Sequence, residues 1–188
     1  MPGTPVYSAQ LPGTRVGTLK LWATHDGIRR LGFRSGPDLA RPDEHPGTEA
    51  PPTHLGETLE RLIGYFEGTV RDFRGIALDL GALTEFQLQV YEHLRAVPFG
   101  RTTTYGAIAE ALGLGPAGAR AVGQAVGANP VAIIIPCHRV VGADDTLHGY
   151  SGGLERKAAL LRLEGIEVDG SRPSSRIHPE ELRLPLWG

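Results

Sequence analysis

The chain has 188 residues, 40% of them hydrophobic, a formal charge of −2 and a single Cys, a length that makes one domain or two small ones and buries roughly 70% of the unfolded surface. No stretch approaches the ~20 apolar residues of a membrane span, Met1-Pro2-Gly3-Thr4-Pro5 lacks the basic and apolar regions of a secretion signal, and one Cys makes neither an internal disulfide nor a Cys-based zinc cluster. A soluble, cytoplasmic protein without membrane contact is expected, with long loops because 26 Gly and 15 Pro far exceed the usual ~12%.

Residues 5–34 read as strands with tight turns, His25-Asp26-Gly27 separating two apolar stretches as a hairpin does. Residues 35–53 hold five prolines and many acids without periodicity, which predicts a mobile surface loop. Helical spacing returns over 54–67, with Leu55, Leu59, Leu62, Ile63 and Phe66 on one face. Ile76-Ala77-Leu78-Asp79-Leu80 then reads as one more strand. From Thr84, a plausible N-cap, helices follow one another: Phe86, Val90, Leu94 and Val97 form one stripe, and Pro98-Phe99-Gly100 stops it. Thr103 or Thr104 caps a short helix through Tyr105, Ile108, Ala109 and Leu112, ended by Gly113-Leu114-Gly115-Pro116. A third helix, about Ala117 to Val126, consists of small residues around Arg120. The last two resemble a helix-turn-helix, a weak signal on composition alone.

Charge points the other way. From Glu85 to Gly165 seven acids balance seven bases, and Ser35–Phe73 carries a net −5. No basic stripe of the nucleic-acid-binding kind is present.

An apolar run, Val131-Ala132-Ile133-Ile134-Ile135, leads to Pro136-Cys137-His138-Arg139. A lone intracellular Cys is most often an inert core residue, yet a structural strand rarely sets His and Arg directly after it. A nucleophilic Cys must become thiolate, and a nearby imidazole or positive charge favours that form. In an extended segment neighbouring side chains diverge, so a proton passing from Cys137 to His138 needs a water or a turn.

Pro136-Cys137-His138-Arg139-Val140 resembles the active-site signature of the O6-alkylguanine-DNA alkyltransferases (methylated-DNA–protein-cysteine methyltransferases). The likeness extends in order through Thr84-Glu85-Phe86-Gln87, Tyr105-Gly106, Ala119-Arg120-Ala121-Val122-Gly123, Asn129-Pro130, Gly149-Tyr150-Ser151-Gly152-Gly153-Leu154, Lys157 and Glu164-Gly165. With the pattern of elements, it implies an α+β fold. A small N-terminal α/β domain with a short antiparallel sheet spans 1–82, a mostly helical domain carrying the helix-turn-helix and Cys137 spans 83–168, and a tail spans 169–188.

The resemblance also implies a chemistry. A guanine alkylated on its exocyclic oxygen is flipped out of duplex DNA and Cys137 takes the alkyl group irreversibly, with O4-alkylthymine a second substrate. His138 accepts the thiol proton through a water, Glu164 orients the imidazole and stabilises its charged form, and Tyr105 donates to the leaving base. Val140, Ser151 and Gly152 line the base with Tyr150 beside it, and Asn129 ties the preceding helix to the Cys segment. Arg120 enters the duplex from the minor groove among the small residues Ala119, Ala121 and Gly123, with Thr103 also at the DNA. The resemblance implies no cofactor and a monomer, and the other histidines show no metal-ligand spacing. Zinc-binding cysteines found at the N-terminus of some relatives are missing here. Two other classes compete: a non-catalytic reader of alkylated bases, opposed by Cys137 itself, and a cysteine hydrolase, which needs an oxyanion hole and turnover. In Leu182, Leu184, Leu186 and Trp187 the tail carries residues able to fold onto an apolar groove.

Overall fold

The computed structural model describes residues 6–33, 50–81, 83–115 and 117–178. Most of the Pro-rich loop and the apolar residues of the tail, Leu182, Leu184, Leu186 and Trp187, lie outside the described residues.

Strands β1 (Tyr7–Thr14), β2 (Gly17–Ala23) and β3 (Ile28–Phe33) form an antiparallel sheet in that order. Leu19, Leu21, Trp22 and Ala23 of the central strand are wholly buried. The β2–β3 turn closes through Thr24 N–H to Gly27 O at 2.9 Å. A Cβ on Gly27 would lie 2.7 Å from backbone atoms of Ala77, so the close approach requires glycine.

β3 is shared by two partners on one edge. Leu31 N–H donates to Pro130 O and Ala132 N–H to Leu31 O, each at 3.0 Å, which makes Val131 a parallel rung and docks the approach to Cys137 on the sheet. Less edge remains for Ile76–Leu80, which forms a single parallel bridge, Leu78 with Ile28, instead of the expected strand. Asp79 turns its carboxylate to Thr24 Oγ1 at 2.7 Å and Arg29 Nε at 2.9 Å.

Helix α1 (Thr53–Glu67) ends at Gly68, whose left-handed φ of 81° lets its N–H reach the carbonyls of Gly64 and Tyr65. Its buried face is Leu55, Thr58, Leu62 and Tyr65. Ile63, expected on that face, is 42% exposed. Helix α2 (Glu85–Ala96) starts with a capping box, Thr84 and Gln87 each bonding the other's backbone N–H.

Thr103–Thr104 (β4) pairs in parallel with Val140–Val141 (β5). Thr104 then caps α3 (Tyr105–Ala111) by accepting from Ala107 N–H at 3.1 Å. α3 packs on α4 (Gly118–Gly127), and the Tyr91 hydroxyl of α2 donates to Ala125 O of α4 at 2.9 Å. α5 (Leu154–Leu163) is followed by β6 (Glu167–Val168) and β7 (Ile177–His178), an antiparallel pair. Residues 169–178 therefore return to the body of the protein, where Leu147 N–H donates to Ser175 O at 2.9 Å.

Buried residues of the sheet, of α1 to α4 and of the Cys segment form one continuous apolar cluster. A smaller one, including Val141, Leu161, Val168 and Ile177, underlies the final hairpin. Among the described residues no helix is long and apolar enough to cross a membrane.

The α3–α4 contact depends on Gly118, where a Cβ would lie 2.4 Å from Leu114 Cβ and 3.2 Å from Ala109 Cβ. Gly118→Ala is expected to destabilise, because overpacking of about 1–3 kcal/mol outweighs a helix-propensity gain of at most ~1 kcal/mol. Urea denaturation checks this; an unchanged or raised midpoint contradicts the close approach.

Candidate active site

The segment expected to be extended is instead a series of tight turns. Ile134 N–H donates to Ala132 O at 2.9 Å around Ile133, whose φ of 71° is an outlier for a β-branched residue. Pro136, at φ −80° and ψ 63°, centres a second turn in which Cys137 N–H donates to Ile135 O at 2.8 Å. Cys137–Arg139 then form a single 3-10 turn. Asn129 holds this path together. Its Oδ1 accepts from Val131 N–H at 3.0 Å, and its Nδ2 donates to Ile135 O at 2.8 Å and to Cys137 Sγ at 3.0 Å.

Cys137 is 3% exposed. Burial pushes its thiol above the usual range, while the Asn129 hydrogen bond and the Lys157 ammonium pull it back in part. Tyr105 and Tyr150 flank the sulfur, and burial, then proximity to Cys137, raises both phenols. The Tyr150 hydroxyl is buried without a bond of good geometry, even to the nearby sulfur. Lys157 is fully buried; its Nζ donates to Val140 O at 2.6 Å and His148 O at 2.7 Å. Desolvation brings it down to about 8.

His138 points away from solvent toward Glu164, Nε2 to Oε1 at 2.8 Å, both side chains having no exposed surface. Glu164 Oε1 also accepts from Tyr65 Oη at 2.8 Å and Arg139 Nη2 at 2.9 Å. Its Oε2 accepts from Arg139 Nε at 2.9 Å and Gly100 N–H at 3.2 Å. Burial alone would raise this carboxyl; His138 and Arg139 outweigh it and hold it at about 2. Burial lowers His138, and Arg139 and Lys157 add to that against the pull of Glu164. The neutral ring donates through Nε2, so the unshared pair is on Nδ1, which is buried and lacks a protein partner.

The structure thus brings Cys137, His138, Glu164, Asn129, Tyr105, Tyr150 and Val140 together, Val140 through its pairing with Thr103. Arg120 and Ala121 are exposed on α4 with Ala119 half-buried, and among the described residues Arg120 makes no hydrogen bond or ion pair. Gly123, half-buried, lies one turn on from Ala119, and a Cβ there would sit 3.7 Å from the Tyr105 ring. Ser151 is exposed, and Gly152 is pressed between Phe33 and Tyr150. Arg156 secures that loop, donating to Gly152 O and Val16 O at 2.8 Å each with its guanidinium over Phe33.

Sequence reading gave no role to Arg139 or Tyr65, although both contact Glu164. For Arg139 the signal was its place beside His138; Tyr65-Phe66 also resembles bacterial members of the family, but 99 residues separate Tyr65 from Glu164 and nothing linked the two. A cleft of ≈ 250 Å³ lies behind the segment, against Ile134, Pro136, Arg139 and Phe99; Cys137 does not line it.

The ionised Glu164 makes stability acid-labile. Its carboxyl sits at about 2 when folded against 4.5 in its ordinary state, so its contribution is complete above 4.5 and is lost as pH falls toward 2. Neutral burial of His138 acts in the same direction from about 6.5 downward, since only the unfolded chain protonates there. Glu164→Gln is expected to cost about 3–5 kcal/mol at pH 7, by stranding Arg139, and to flatten the loss between pH 4.5 and 2. Urea midpoints across that range check both; a mutant as steeply acid-labile as the wild type contradicts the assignment.

Residues 85–166 match the family described as 6-O-methylguanine DNA methyltransferase, DNA binding domain. The methylated-DNA–protein-cysteine methyltransferase of Mycolicibacterium paratuberculosis is 50% identical over 117 residues, covering 62% of this chain and 68% of that protein. Its counterpart in Methanosarcina acetivorans is 39% identical over 80% of this chain and 93% of that protein. The solved Mycobacterium tuberculosis O6-methylguanine methyltransferase gives a TM-score of 0.73 at 38% identity, covering 85% of this chain and 92% of that one. Mycobacterium tuberculosis OGT, solved in complex with DNA, gives 0.74 at 38% identity over 84% and 92%. With the expected α+β fold and with Cys137, His138 and Glu164 in one buried cluster, this chain belongs to the methylated-DNA–protein-cysteine methyltransferase family.

Proposed function

We propose that this protein repairs alkylated DNA by direct reversal, taking the alkyl group from O6-alkylguanine, with O4-alkylthymine a second substrate, onto Cys137. The observation that carries the reading is the Asn129-held sulfur, followed in the same turn by an imidazole bound through Nε2 to Glu164 with its Nδ1 unpartnered. Attack is an in-line displacement at the alkyl carbon: the sulfur–carbon bond forms as the carbon–oxygen bond breaks. The thiol proton passes through one water to His138 Nδ1, and Tyr105 donates to the leaving base. A thioether does not hydrolyse, so each chain acts once. Because burial works against the free thiolate, a positioned base is needed to remove the proton during attack.

The base reaches Cys137 by flipping out of the duplex, to lie against Tyr150 and the loop through Ser151 and Gly152, with Val140 at its edge. Arg120 on α4 fills the vacated space from the minor groove. Its exposure, its freedom from ion pairs among the described residues and its small neighbours Ala119 and Ala121 support that role. Thr103, paired with Val140, and Gly123, one turn on from Ala119, also meet the DNA. The working unit in this reading is a cytoplasmic monomer.

After one exposure to a short duplex bearing O6-methylguanine, intact-mass spectrometry is expected to find a single added methyl, on Cys137, in a stoichiometric burst. Cys137→Ala should lose transfer and keep DNA binding. Turnover, or methyl on another residue, overturns the reading. Arg120→Ala should slow reaction with the duplex at least tenfold more than with the free base, about 1.4 kcal/mol of flipping; equal losses on both substrates remove Arg120 from that role.

A further inference from the structure

The guanidinium of Arg139 brackets Glu164, Nε on Oε2 and Nη2 on Oε1, each at 2.9 Å, and Nη1 donates to Val97 O at 2.6 Å. A bidentate fork of this kind fixes both position and charge. Glu164 is therefore not a lone anion facing a histidine. Its charge is already matched by a cation on the adjoining residue, with Tyr65 and Gly100 satisfying further lone pairs.

We infer that Arg139 is a positioning residue for alkyl transfer: by occupying Glu164 it lets that carboxylate orient His138 through Nε2 while leaving Nδ1 free to receive the thiol proton. The inference rests on the reading of Cys137 and His138 given above, and it revises one part. Glu164 acts as an orienting group whose charge is spent on Arg139, rather than as a counter-ion for a charged imidazole.

The chemistry of the alternative makes the point. Without Arg139, a buried carboxylate and a buried imidazole at 2.8 Å form a pair carrying a net negative charge, and burial drives such a pair to take up one proton. If the proton resides on the ring, both nitrogens carry hydrogen. If it resides on Glu164, that acid donates to Nε2 and the neutral ring must hold its own proton on Nδ1. Either way Nδ1 is blocked. Arg139 prevents the uptake by neutralising the pair beforehand. Tyr65 from α1 and Tyr150 from the loop before α5 act on Glu164, Lys157 within α5 acts on His138, and Arg71, Asp72, Arg74 and Arg95 share with Arg139 the cleft behind the segment. Lys157 lies on the same side of the balance as Arg139 but bonds Val140 and His148, not Glu164.

The test compares wild type, Arg139→Gln and Arg139→Lys in single-turnover methyl transfer from an O6-methylguanine duplex between pH 6 and 9. The His138 ring carbon is followed by NMR in the same samples, assigned against His138→Gln. Arg139→Gln should move the acid limb of the rate upward by at least one pH unit, so that its loss is tenfold or more at pH 6.5 and small at pH 9. The His138 resonance should begin to titrate near neutrality, and Arg139→Lys should restore most of the limb. Should Arg139→Gln not fold, Tyr65→Phe removes a neutral bond to the same oxygen and should shift limb and resonance the same way by less. An equal loss at every pH with a non-titrating His138, or Lys behaving like Gln, overturns the inference. Failure of wild type to methylate Cys137 sinks the underlying reading instead, and the histidine titration still decides the Arg139 question.

Discussion

Five donors converge on the two oxygens of Glu164, and they come from Tyr65 in α1, Gly100 after α2, and His138 and Arg139 beside Cys137. Moving a carboxylate out of water costs several kcal/mol even after relaxation, so the residue is tolerable only while all of these partners are in place. That requirement fixes the end of α5 against α1 and against the Cys137–Arg139 turn at once. The angle of the His138 ring, and with it the direction of its lone pair, follows from the same constraint.

Around the sulfur a second set of constraints operates on the backbone. A positive φ at a β-branched Ile and two successive tight turns are conformations a free peptide avoids. Asn129 makes the path tenable by standing in for the missing ladder partners, and its amide reaches the sulfur in the same gesture. Docking of Val131 on β3 anchors the other end. Position, not a permanently lowered thiol, is what the surroundings provide: burial raises Cys137 and the polar neighbours only partly offset it.

Much of this was legible in the residues. Local signals read correctly: the Asp26-Gly27 hairpin, the Thr84 cap, and the stop at Pro98-Phe99-Gly100 each act through their own neighbours. Errors arose where a distant partner decided the outcome. Ile63 fits the apolar stripe of α1 by spacing, yet Tyr65 takes the buried position because Glu164 waits there for its hydroxyl. Ile76–Leu80 has strand composition, but β3 gives part of that edge to the segment before Cys137. The turns at Ile133 and Pro136 were invisible because five apolar residues in a row look like a buried strand, and nothing local announces that Asn129 will bond across them. Balanced charge in the second half pointed away from nucleic acid, but a net count does not register where a charge sits: Arg120 is exposed on a helix of small residues.

Arg156 has a mechanical meaning that its sequence position, one residue before the buried Lys157, conceals. Its fork joins the turn between the first two strands to Gly152, while its flat face rests on the last ring of the third strand. The N-terminal sheet is thereby the rear wall of the loop that carries Gly152, and a shift in either is felt by the other through one planar group. A fragment trimmed to the helical half would keep Cys137 and lose the surface that holds the loop at Gly152 to shape.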